Sequence, residues 1–173
     1  MEASNIVMLP LGHVGVNFMV LNLFRRMRSR RNLALLVLGS LLPDIIDKPL
    51  GLLMFHGFGN GRLIAHTLMF NLAILAIVLA FKRDLVIVPT ASLLHLIEDR
   101  MWREPKILFY PFMGDFPKKP VVPWYVRIER IVQAYHDPTI LLSDLLGAIL
   151  LIVFVGCIAK QQKEFKDKRS APK

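Results

Sequence analysis

The stretch ILLSDLLGAILLIVFVGCIA, from Ile140 to Ala159, decides the fold. Only Ser143 and Asp144 interrupt its apolar series. About twenty residues at about 1.5 Å each cover about 30 Å, the thickness of a bilayer's hydrocarbon core. A second run, Leu63 to Phe81, is almost as long and carries His66, Thr67 and Asn71 near its start. Neither run has the polar face of a soluble surface helix. Over the whole chain of 173 residues, 54% are hydrophobic and the mean hydropathy is +0.49. Soluble domains sit at about 45–50% apolar. The chain reads as an integral membrane protein.

Working outward, five spans are expected: Val7 to Phe24, Leu33 to Phe55, Leu63 to Phe81, Leu85 to Ile97 and Thr139 to Ala159. The fold class is therefore all-α, a multi-span transmembrane bundle in one domain over residues 1–160. Residues 161–173 read as a basic, disordered cytoplasmic tail. Span two carries Pro43 and Pro49, which are expected to break it, since proline removes a helical hydrogen bond and clashes with the preceding turn. Between Glu98 and Pro138 lies a long segment rich in Pro, Trp and Tyr, suited to the headgroup level. Within it, Val121 to Tyr135 has the pattern of an amphipathic surface helix, with a solvated loop as the alternative.

The formal net charge is +9, from 22 Lys and Arg against 13 Asp and Glu. The basic residues cluster at the ends of apolar runs, so a nucleic-acid partner is not expected. Arg25, Arg26, Arg28, Arg30 and Arg31 follow span one, Lys82 and Arg83 follow span three, and a basic tail follows span five. Five crossings put these segments on one side, the cytoplasm, with the N-terminus outside and the C-terminus inside a plasma or inner membrane. No removable signal peptide is read at the N-terminus. Cys157 lies within an apolar run, far from every His, so neither a disulfide framework nor cysteine catalysis is expected.

Ionisable residues inside a membrane cost several kcal/mol unless paired, hydrated or bound to metal, so they mark function. His13, Asp44, Asp47, His66, His95 and Asp99 fall at similar depth near the outer ends of their spans, as does Asp144. Asp44 and Asp47, three apart, share a helix face, as do His95 and Asp99, four apart. His nitrogen with Asp oxygen suits Zn, with Mn or Fe as alternatives. The set suffices for one ion with supporting residues or for two, and a two-metal centre suits phosphoester hydrolysis. His56 and His136 read as solvated, Glu98 as interfacial, and Asp144 as a partner for Arg62 or Lys48.

The order Gly12-His13-x-x-x-Asn17, Gly39-x-x-x-Pro43-Asp44-x-x-Asp47, Arg62-x-x-x-His66-Thr67, His95-x-x-x-Asp99 and Tyr110-Pro111-Phe112 resembles the YdjM-like family. Its members are inner-membrane, predicted metal-dependent hydrolases, and the resemblance covers about residues 10 to 112. The family's His-Arg-Gly-x-Thr-His-Ser stretch is altered here, with Gly61 for its first His and Ala65 for its Thr. His56 is a candidate replacement.

The resemblance and the residues together lead to a metal-dependent hydrolase acting near the outer surface on a phosphoester or lipid-linked substrate. His13, Asp44, Asp47, His66, His95 and Asp99 are the expected ligands. Arg62 is expected to bind an anionic group, and Asp47 or Asp99 to serve as general base. Membrane lipids are the expected surroundings. The rivals are a transporter or ion-conducting protein and a non-catalytic membrane scaffold.

Overall fold

Pro10, Pro105 and Pro138 each open a helix, at the one position where proline's missing N–H and fixed φ cost nothing. The computed structural model describes residues 9–24, 29–53, 61–118 and 123–170, and no strand occurs among them. The helices are α1 (Pro10–Phe24), α2 (Arg30–Leu53), α3 (Leu68–Phe81), α4 (Ile87–Glu98), α5 (Pro105–Leu108), α6 (Trp124–Ala134) and α7 (Pro138–Ser170). Short 3-10 turns lie at Ile64–His66, Arg83–Leu85 and Met101–Arg103. The all-helical class expected from the sequence is what the chain adopts.

Helix α1 packs along α7 and α2, and α4 packs between α2 and α3. Two backbone approaches need glycine. A Cβ at Gly15 would overlap the backbone of Gly147 on α7, and a Cβ at Gly39 would overlap Val88 on α4. Such small-residue contacts let apolar helices gain van der Waals packing where lipid supplies no hydrophobic drive between them. One end of the bundle is filled by Val14, Phe18, Leu21, Leu36, Ile87 and Ala91. The other end is polar.

The outer surface is apolar. Leu142, Leu145, Leu146, Ile149, Ile152 and Val153 are exposed on α7, and Met69, Leu72, Ile77, Leu79 and Phe81 on α3. Pro138–Cys157 within α7 is long and apolar enough to cross a membrane, and only 18% of its most apolar stretch is buried by the protein. Among the described residues no other helix meets that length and composition. Helices α1, α3 and α4 have 15, 14 and 12 residues, or about 18–23 Å at about 1.5 Å each. They are shorter than the runs Val7 to Phe24 and Leu63 to Phe81 suggest.

Three expectations change. Pro43 and Pro49 do not break α2, which continues through both to Leu53. Pro43 leaves the Gly39 carbonyl without its helical donor, and the next carbonyl along, Ser40, accepts from the His95 ring. Span three does not run as one helix from Leu63. Its polar start folds into the 3-10 turn, and α3 begins at Leu68 with Thr67 Oγ1 accepting the Phe70 N–H at 3.1 Å. The tail does not turn irregular at residue 161, since α7 continues to Ser170. Its Lys, Gln and Glu residues are good helix formers.

The interfacial segment contains α6, inside the window Val121 to Tyr135. Tyr125, Ile128 and Val132, spaced three and four apart, are exposed on it alongside Glu129 and Arg130. Asp137 precedes α7 and accepts the Thr139 N–H at 2.8 Å and its hydroxyl at 2.6 Å. These bonds hold the Asp137 carboxyl below the usual range.

Candidate metal centre

His66 owes its position to Asp47. The buried Asp47 carboxylate accepts the N–H groups of Leu63, Ala65 and His66 at 2.7, 2.9 and 3.0 Å. It also accepts the His66 Nδ1–H at 2.7 Å. A carboxylate is the only short side chain offering enough lone pairs for four donors. The His66 Nε2 then carries the lone pair, buried and, among the described residues, without a hydrogen-bond partner. It lies 3.8 Å from Asp44 Oδ1 and 3.8 Å from Asp99 Oδ2.

His95, on the last turn of α4, is built the same way. Its Nδ1 is 2.8 Å from the Ser40 carbonyl, which can only accept, so Nδ1 carries the proton. Its Nε2 is again buried and unpartnered, 3.9 Å from Asp99 Oδ2. His13 completes the set from α1. Its Nδ1 is 2.5 Å from Glu98 Oε2 and its Nε2 3.4 Å from Asp99 Oδ1. The His13 ring stacks on His95 with centroids 4.0 Å apart, and His66 meets His95 edge-on at 5.4 Å.

Three imidazoles thus have Nδ1 held by an acceptor and Nε2 turned toward one small volume, bounded by Asp44 and Asp99. The potential ligand atoms of His13, His95 and Asp99 lie within 4.8 Å of one another, as do those of Asp44, His66 and His95. His95 belongs to both groups, and its single Nε2 can bind one ion. Orphaned lone pairs facing two carboxylates form a site that only a cation or protons can relieve. Imidazole held through its second nitrogen by carboxylate or carbonyl is the usual support of a metal ligand.

Around this volume the remaining charges are paired. Arg62 donates from Nε at 3.0 Å and Nη2 at 2.8 Å to Asp99 Oδ2, and its Nη1 lies 3.8 Å from Glu104. Lys48 Nζ is 2.7 Å from Asp44 Oδ2. Beneath the rings, Asn71 donates to the Ala65 and Thr67 carbonyls and accepts from Ser92 at 2.5 Å. Asn17 donates to the Ala91 carbonyl. The apolar cluster of α1, α2 and α4 begins at this level, with Val14, Phe18 and Ala91.

Of the residues expected at the site, His13, Asp44, Asp47, His66, His95, Asp99 and Arg62 are all brought together. Asp47 sits one step back, with both oxygens engaged. Asp144 is elsewhere: it accepts the Gly12 N–H at 2.8 Å and the Tyr135 hydroxyl at 3.1 Å, not Arg62 or Lys48. There it answers a free N–H at the start of α1, next to His13. His136 is exposed on the turn after α6, and His56 lies outside the described residues. Among the described residues, a Cβ at Gly61 would meet only Lys48 Cγ, at 4.0 Å, so the cluster assembles without a residue reaching in from there.

Glu98 was not expected at the site. It closes α4, with Asp99 as the C-cap, and the two adjacent carboxylates meet opposite nitrogens of one ring, Glu98 at His13 Nδ1 and Asp99 at Nε2. Ser40 contributes a backbone carbonyl, which leaves no mark in a sequence.

A family model described as YdjM inner membrane protein matches residues 8–164. No curated protein and no solved structure matches the chain.

Proposed function

The chain belongs to the YdjM inner membrane protein family, and from its geometry we propose a membrane-embedded, metal-dependent hydrolase of phosphoester or lipid-linked substrates. The observation that carries this reading is the pair of buried, unpartnered Nε2 atoms on His66 and His95, facing Asp44 and Asp99. His13, His66, His95, Asp44 and Asp99 would hold one divalent ion, Zn first by donor type, with Mn or Fe as alternatives. The ion would supply a Lewis acid and an activated water near neutral pH.

The chain's own residues do the rest. Asp47 and Glu98 orient His66 and His13, so the general-base role expected of Asp47 passes to another group. Asp44 is the most exposed of the ligand carboxylates at 17%, against 7% for Asp99. It is placed to take a proton at Oδ1. Arg62, 18% exposed, fixes Asp99 and presents its charge where an anionic group arrives. The polar end of the bundle is assigned to the outer side of the membrane, with five helical crossings, N-terminus outside and C-terminus cytoplasmic. That assignment rests on the Lys and Arg distribution.

The packing favours this reading over transport. A conducting path needs polar groups along its length, whereas Phe18, Leu21, Leu36 and Ile87 close the bundle below Asn17 and Ser92. Purified protein in nanodiscs, assayed on bis-p-nitrophenyl phosphate and on phosphatidic acid, tests the proposal. Turnover should vanish on chelation, return with Zn or Mn, and be lost in His95→Ala. Turnover that is indifferent to chelation, or retained in His95→Ala, rules out this site.

A further inference from the structure

A groove of about 440 Å³ runs between the first half of α3 and the turn after α5. Leu68, Leu72 and Ala73 line one wall, and Leu108, Phe109 and Phe112 the other. Its volume is within the range of about 300–1,000 Å³ common to small-molecule sites. Both walls are neighbours of the charged cluster along the chain. Leu68 follows His66 by one residue, Thr67, and the α5 wall is tied to Arg62 through Glu104, 3.8 Å from Nη1.

We infer that this groove holds a hydrocarbon chain of an amphiphilic substrate whose anionic head lies at Arg62 and the histidine–carboxylate cluster. The inference rests on reading that cluster as a hydrolytic centre. The groove is open, and Leu72 at 48%, Phe109 at 42% and Phe112 at 82% present apolar surface at its rim. A polar, water-soluble substrate gains nothing from such walls. A peptide would bring backbone N–H and C=O groups into a groove that offers almost no partners, leaving them unpaired. A methylene chain has no such requirement. An apolar slot walled by segments that adjoin, along the chain, those carrying His66 and Glu104 matches a molecule with a greasy tail and an anionic head.

The test uses the full chain in phosphatidylcholine nanodiscs containing trace phosphatidic acid with a mid-chain diazirine. After irradiation, labelled peptides are mapped by mass spectrometry. Label should concentrate on Leu68–Ala73 and Leu108–Phe112, about tenfold above the lipid-facing stretch Ile149–Val153 of α7, since a tenfold preference needs only modest selectivity. Ala73→Trp should cut groove labelling about tenfold by filling it, while Ile77→Trp, on α3 outside the groove, should not. If Ala73→Trp fails to fold, Ala73→Phe fills the same space with a smaller ring.

A diacylglycerol carrying the same diazirine chain should label the groove about tenfold less than phosphatidic acid, because it lacks the anionic head. Equal labelling of groove and α7 overturns the inference, as does equal labelling by the two probes or undiminished labelling in the filled variants. Metal content of the same samples separates the two ideas. Selective labelling without metal overturns the hydrolytic centre and leaves a lipid-head and chain site. Bound metal with uniform labelling overturns the groove and leaves the centre.

Discussion

Asp44 and Asp47 sit one turn apart on α2, yet replacing each by Asn should have opposite signatures. Asp47 is fully buried and receives four donors, three on Oδ2 and one on Oδ1. An Asn in its better orientation keeps its oxygen toward the three donors and turns an NH2 onto the Ala65 N–H. That loses one charge-assisted bond, about 1.5–3 kcal/mol, and demotes three others to neutral strength, about 0.5–1 kcal/mol each. The total, about 3–6 kcal/mol, is a shift on the order of 10 °C in melting for a chain of this size. It appears in the chelated protein, because it belongs to the fold. Asp44 is partly exposed and makes one ion pair with Lys48, so Asp44→Asn should leave chelated protein within about 1 kcal/mol of wild type. In metal-replete protein the order is less lopsided. Asp44→Asn removes a direct ligand, and Asp47→Asn loosens His66 at about 10–100-fold in affinity. Thermal melts in detergent, with and without chelator, read both effects. The reasoning fails if chelated Asp47→Asn melts like wild type, or if chelated Asp44→Asn falls as far as Asp47→Asn.

Gly147→Val should destabilise by more than about 3 kcal/mol, beyond ordinary overpacking, because the obstacle is α1 backbone; Gly156→Val, facing open space, should be silent in the same melts. Asp144→Ala should cost about 1–3 kcal/mol by stranding the Gly12 N–H, and should weaken metal binding less than Asp47→Asn does, which titration calorimetry can rank. The Asp137 carboxyl is held low by its bonds to Thr139, so its cap on α7 is fully present above the usual carboxylate pKa and is lost as pH falls through the depressed value; Asp137→Asn should flatten that acid dependence in hydrogen exchange of the first turn of α7. Gly61→His should fold normally and bind metal at least as tightly as wild type, since among the described residues only Lys48 lies near that Cβ.

Much of the site was legible because membrane burial makes polar residues informative. His13, Asp44, His66, His95 and Asp99 stand out by cost alone, and orientation by charge placed them at one end. The division of labour among them was not legible. Asp44 and Asp47 share a face, but which one faces the His66 Nε2 depends on where Leu63–His66 folds back, a contact across 16 residues or more. Glu98 read as interfacial because adjacent residues point to different faces, and its contact with His13 runs between α4 and α1, across 85 residues. Helix type was legible and helix length was not. The run from Leu63 is apolar enough for one helix, yet Asp47 draws three of its N–H groups into a 3-10 turn and Thr67 starts α3 afresh. Pro43 and Pro49 read as breaks because local rules give the cost of a proline and not the packing against α4 that keeps α2 whole.

The claim on which the rest depends is that His13, His66, His95, Asp44 and Asp99 hold one ion. Elemental analysis of full-length protein, purified without added metal or chelator, tests it most directly beside His95→Ala and His136→Ala. One divalent ion per chain in wild type and His136→Ala, lost in His95→Ala, is the expected result. No stoichiometric metal in wild type, or metal undiminished in His95→Ala, contradicts the centre itself.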